Sequence, residues 1–301
     1  MKNMKRWGLT ALVLIVIGLL LVGAAFVKAD FNLENLSSQK IIEKTYAFEE
    51  AYDEIIINIL NADVIFARAE DHKTRVEIRE IEKIPHSVQI SENALRITAR
   101  DARKWIDRLN FGILKTSVTV YLPENAYESA FILTLTGDIS VPAGFSFNTL
   151  DACTSTGKLM AEGVASKTMT LNGTTGRIIL SDVDVQNELS AHMTTGDISI
   201  RSLKAQKMTA SATTGDIMLT DVAVEELMSV KVTTGDISFR RTDAGEVYLK
   251  ATTGDIEGTF LTEKKFDAKA TTGHVSVPST QSGGLCRATT TTGHIDISIG
   301  G

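Results

Sequence analysis

Along most of the chain, apolar and polar residues alternate in short runs, and the runs recur at a fixed interval. Leu189-x-Ala191-x-Met193, Met208-x-Ala210-x-Ala212, Val247-x-Leu249-x-Ala251 and Phe266-x-Ala268-x-Ala270 each turn one face of a strand toward a core and the other toward solvent. A Thr-Gly motif closes each run, with its glycine at 137, 157, 176, 196, 215, 235, 254, 273 and 293, at intervals of 19 or 20 residues. Two residues past these glycines stand Ile139, Leu159, Ile178, Ile198, Ile217, Ile237, Ile256, Val275 and Ile295, which open a second alternating run. Copies at Gly137, Gly196, Gly215, Gly235 and Gly254 read T-G-D-I; the others read T-G-K-L, T-G-R-I, T-G-H-V and T-G-H-I.

A period of this length admits few architectures. A leucine-rich repeat needs an L-x-x-L-x-L-x-x-N ladder and room for a helix, and neither is present. Two or three short strands per period predict an all-β parallel solenoid, a right-handed β-helix whose 19-to-20-residue rungs stack at about 4.8 Å. Nine rungs then make a rod of roughly 40 Å. The motif glycine is expected at positive φ in the corner between strands, where a Cβ would clash.

Residues 131–301 form the regular solenoid on this reading. Before them, residues 46–130 are expected to be degenerate rungs and a cap, with strands at Glu54 to Ile59, Val64 to Ala67, Arg75 to Arg79, Ser87 to Ile90, Leu95 to Thr98 and Ser117 to Leu122. Asn61-Ala62-Asp63-Val64 reads as a worn T-G-D-I. Within 101–112, Ala102, Trp105, Ile106 and Leu109 recur at helical spacing before Gly112, a pattern expected to lid the open end of the core. Residues 28–45 are a polar linker. Residues 8–27 carry no charge and match the length of a single transmembrane helix, behind the basic tail 1–7 with Lys2, Lys5 and Arg6. The positive-inside rule keeps that tail cytoplasmic and delivers the rest outside the cell membrane. Val27-Lys28-Ala29 also fits a signal-peptidase site, the competing reading.

The T-T-G-D-I array, the strand Val118-Thr119-Val120-Tyr121-Leu122 before Pro123 and the basic, hydrophobic N-terminus together resemble the bacterial putative-adhesin family, over about residues 46–301. That family is a domain of unknown function whose members include a protein of the Lia cell-envelope stress operon. The resemblance implies an extracellular β-solenoid serving as an adhesin-like surface or envelope-stress scaffold. Lys158, Arg177, His274 and His294 depart from the family's Asp after the glycine.

Charge narrows the partners further. Residues 29–301 hold 27 basic and 37 acidic side chains, a balance of −10, which repels phosphate backbones and argues against nucleic acid. Registered rungs would stack Asp197, Asp216, Asp236 and Asp255 in one outward column. Such carboxylates either gather a divalent cation such as Ca²⁺ or accept backbone N–H groups. The calcium-binding G-G-x-G-x-D pattern is missing, so the second role is expected and no metal site is assigned. The paired threonines, from Thr174-Thr175 to Thr291-Thr292, are expected to hydrogen-bond between rungs.

Only His274 and His294 among the histidines should be neighbours, too few ligands for a metal. Cys286 should face inward and Cys153 outward, seven rungs away in sequence order and out of disulfide reach. A polysaccharide lyase or hydrolase acting on envelope glycans is the enzymatic alternative. Against it, acid–base work needs distinct groups with separated pKa values, whereas this chain repeats one residue rung after rung. No catalytic residue and no cofactor is assigned. The expected partners are the membrane, through the N-terminal helix, and an envelope polymer or protein.

Overall fold

A computed structural model describes residues 14–20, 22–24, 27–28, 40–100 and 115–300. The N-terminal described residues are helical, and among the described residues no helix is long and apolar enough to cross a membrane. The expected lid over 101–112, with Trp105, lies outside the described residues.

Among the described residues, those from 41 onward are strand and turn, in one continuous ladder of predominantly parallel strands. The Gly215 rung shows why. Met208, Ala210 and Ala212 point inward before the corner and Ile217 and Leu219 after it, followed by Val222 and Val224 on a short third side. All seven are at most 5% exposed, while Thr209, Met218 and Asp221 between them face out. A second corner lies six residues past the motif glycine, where Gly163, Asp182, Ser202, Asp221 and Arg241 take φ of 57°, 53°, 59°, 55° and 47°. The alternation pattern carries no sign of it; glycine and Asp tolerate that conformation better than Ser or Arg does.

The rungs do not stack in sequence order at either end. At the beginning, β2 (Glu54–Asn61) pairs with both β6 (Ala94–Ala99) and β8 (Ala126–Thr136). Likewise β3 (Asp63–Arg68) lies between β7 (Ser117–Leu122) and β9 (Ile139–Val141). The first rung is thus inserted between the second and the third. At the other end, β17 (Gly284–Thr292) pairs with both β13 (Ile237–Thr253) and β15 (Lys264–Thr272). In the same way β18 (Ile295–Ile299) lies between β14 (Ile256–Phe260) and β16 (Val275–Ser276). The last rung therefore slots in front of the one that precedes it in the chain, and Cys153 and Cys286 are one rung closer than sequence order implies. Both remain free thiols.

Residues 46–91 also depart from a plain row of worn rungs, and the expected linker 28–45 is strand from Ile41 onward, where alternating residues pair with a neighbouring strand. β4 (Thr74–Ile81) runs antiparallel to β7, β1 (Ile41–Phe48) antiparallel to β4, and β5 (His86–Ser91) antiparallel to β6. These strands cover the edges that the outermost parallel rung would otherwise expose. Aromatic rings gather toward both ends of the core: Tyr52, Phe66, Tyr127, Phe145 and Phe147 at one, and Phe239, Phe260 and Phe266 at the other.

Candidate interaction surface

The Thr-Gly corner recurs on every regular rung, as T-G-D-I in five copies, and each residue in it has a distinct task. At Gly215 φ is 132°, and an added Cβ would lie 2.2 Å from the carbonyl oxygen of Gly196 below. Glycine is needed there both for its backbone conformation and for the close approach of two main chains. The Gly215 N–H donates to the Thr234 carbonyl and the Ile217 N–H to the Asp236 carbonyl, both at 2.9 Å. Isoleucine supplies the buried side chain.

The aspartate satisfies the one remaining amide at the corner. Asp236 N–H donates to Asp216 Oδ1 at 2.9 Å, Asp255 N–H to Asp236 Oδ1 at 2.7 Å, and Asp216 N–H to Asp197 Oδ1 at 3.2 Å. The acidic column is therefore a hydrogen-bonded ladder in which each carboxylate caps the backbone of the next rung rather than its own turn. The worn copy takes part, since Asp138 N–H donates to Asp63 Oδ1 at 2.8 Å, and Lys158 N–H in turn donates to Asp138 Oδ1 at 2.8 Å. Lys158 cannot accept, and the ladder is interrupted there. It resumes at Asp197, which Arg177 approaches at 3.4 Å.

Beyond Asp255 the inserted last rung sets the order. His294 N–H donates to Asp255 Oδ1 at 2.6 Å, and His274 N–H donates to His294 Nδ1 at 3.0 Å. The two histidines are neighbours, and His294 fills the acceptor role of an aspartate. Among the described residues no group of three or more His, Cys, Asp or Glu side chains is placed to hold a metal. The paired threonines of the regular copies flank the corners and are exposed from Thr174-Thr175 onward. Their contribution between rungs comes through main-chain carbonyls, whereas the buried threonines one strand position further in use their hydroxyls: Thr154 and Thr290 donate to the Gly137 and Gly254 carbonyls.

Two features outside the repeat were not visible in the alternation. Glu80 on β4 is fully buried; Lys44 Nζ from β1 lies 2.6 Å from Oε1, and the His86 N–H donates to Oε2 at 2.6 Å, with Nδ1 2.7 Å from the same oxygen. Burial opposes ionisation, yet these donors overcome it and hold the Glu80 carboxyl below the ordinary carboxylate range. Glu80 also raises the Lys44 pKa. At the far end Lys264, only 3% exposed, pairs with Asp243 and donates to Thr262 at 2.7 Å. The Cys286 thiol is pushed up to about 12 by burial.

The repeat, the Asp ladder and the parallel stack define a class: a parallel β-solenoid whose regular outer corner is built from T-G-D-I. The chain belongs to the Toastrack DUF4097 family, whose model matches residues 52–244 and 184–301. Similar solved structures include a protein from Parabacteroides distasonis described as a putative lipid binding protein, at 14% identity and a TM-score of 0.54, covering 86% of this chain and 97% of that one. Another is a putative adhesin from Parabacteroides merdae, at 16% identity and a TM-score of 0.51, covering 87% and 97%. At these identities the likeness is one of fold. No curated protein matches.

Proposed function

We propose that the chain is a membrane-anchored, non-catalytic surface protein, whose solenoid stands outside the cell membrane and presents its regular corner face to an envelope polymer or protein. The observation that carries the reading is the repetition of one outward chemistry, exposed threonines beside a column of carboxylates, over successive rungs. A periodic face is suited to a periodic or extended partner, since each rung adds the same weak contact and the contacts sum along the rod. The anchor is supported by the uncharged stretch 8–27 behind Lys2, Lys5 and Arg6.

Photo-crosslinking residues placed at Thr213 or Thr252 in intact cells should give discrete adducts. The same probe at Ala223, exposed on the short third side, should give none. Equal labelling from all three positions, or none from any, would refute a dedicated face.

A further inference from the structure

Where the strand after the glycine meets the second corner, the outer surface is hollowed into a groove of about 680 Å³. Its walls are charged in two separate groups. Arg201, Thr220 and Arg240 are in register on three successive strands, so the two arginines flank the rung that carries Asp221. Arg241 reaches back one rung and holds Asp221 with two bonds, Nε to Oδ1 at 2.6 Å and Nη2 to Oδ2 at 2.5 Å.

Three guanidiniums thus surround one carboxylate. Arg241 foremost, then Arg201 and Arg240, lower the Asp221 pKa. One positive charge is neutralised and two remain, and the guanidiniums of Arg201 and Arg240 make no hydrogen bond or close ion pair among the described residues. Further along the same groove, Glu257 and Asp296 are in register on neighbouring strands and are likewise unpaired. Met218, 53% exposed, adds an apolar wall.

Unpaired cations on the Gly196 and Gly235 rungs and unpaired carboxylates on the Gly254 and Gly293 rungs, all lining one groove, complement a ligand with the opposite dipole. Planar guanidiniums match the geometry of phosphate oxygens, and carboxylates accept from ammonium. We propose that this groove is a binding site for a phosphoethanolamine-type zwitterion, with the phosphate at Arg201 and Arg240 and the ammonium at Glu257 and Asp296. The site is separate from the Thr-Asp corner face and does not depend on where the protein resides.

Titration calorimetry of the full-length protein with O-phosphoethanolamine and with inorganic phosphate tests it. Both should bind the wild type, and Arg201→Gln with Arg240→Gln should weaken both by about tenfold or more, the loss expected of charge-assisted bonds. Glu257→Gln with Asp296→Asn should weaken phosphoethanolamine and leave inorganic phosphate as tight or tighter. Lys231→Gln with Lys250→Gln, on the neighbouring face, should change neither. Unchanged thermal melting of each variant checks that folding is intact. Competition by phosphatidylethanolamine vesicles but not phosphatidylcholine vesicles would identify a lipid headgroup as the source, and no competition a soluble or polymer-borne ligand. Absence of binding by the wild type, or equal losses in the Lys231/Lys250 control, would overturn the assignment.

Discussion

At the scale of single residues, the T-G-D-I motif is a list of main-chain requirements. Glycine lets two backbones touch at positive φ, Asp provides the acceptor for the next rung's amide, and Ile fills the core. Gly215→Ala combines a disfavoured conformation with a 2.2 Å contact to a carbonyl oxygen, so it should cost about 2 to 4 kcal/mol in urea unfolding. Asp216→Ala removes the acceptor of the Asp236 N–H on an exposed corner, a loss of about 1 kcal/mol in the same measurement. Because that carboxylate is already used by the backbone, millimolar Ca²⁺ should leave the melting temperature of the wild type unchanged, whereas a bound cation would raise it. The glycine's role was readable from its spacing. The reach of the aspartate to a neighbouring rung was not, since that amide belongs to a residue 19 or 20 positions away.

At the scale of elements, the strands were legible because alternation and the Thr-Gly punctuation act locally. The six early runs from Glu54 to Leu122 fall on β2 to β7 within two residues at their ends. Their pairing was not legible. Alternation states which side of a strand is apolar and leaves open which partner lies next to it, so the antiparallel direction of β1, β4 and β5 has no local signature.

The Glu80 cluster ties these strands together. Its folded pKa is depressed, so its contribution is present above the unfolded value of about 4.3 and fades as the pH falls through the folded value. Glu80→Gln should therefore destabilise by about 1 to 3 kcal/mol near pH 7, and the gap from wild type should narrow progressively below about pH 4. A gap that stays constant with pH would mean that packing, not charge, sets the loss.

At the scale of the molecule, the inserted first and last rungs give both terminal segments a neighbour on each side. The repeat conceals this, because any rung matches any other in pattern. Burial reveals it: Cys286 and Ala288 on β17 are fully buried, while Phe266 and Ala268 on β15, with the same alternation, are only half-buried. Hydrogen exchange should accordingly protect β17 more strongly than β15, although β17 lies nearer the C-terminus. The groove was hidden for a related reason. Arg201 and Arg240 each stand five residues past a motif glycine, and aligning the copies on their glycines brings the two into one column, but alternation reports only that both face out.

If this regular face stands outside the cell, a reagent that cannot cross the membrane will reach an exposed corner position. In a Cys153→Ser background, Thr213→Cys places one accessible thiol on the corner face, with Cys286 buried. A membrane-impermeant maleimide should label it fully in intact cells, on a chain that fractionates with the membrane. Labelling only after lysis would place the solenoid inside the cell and contradict the account.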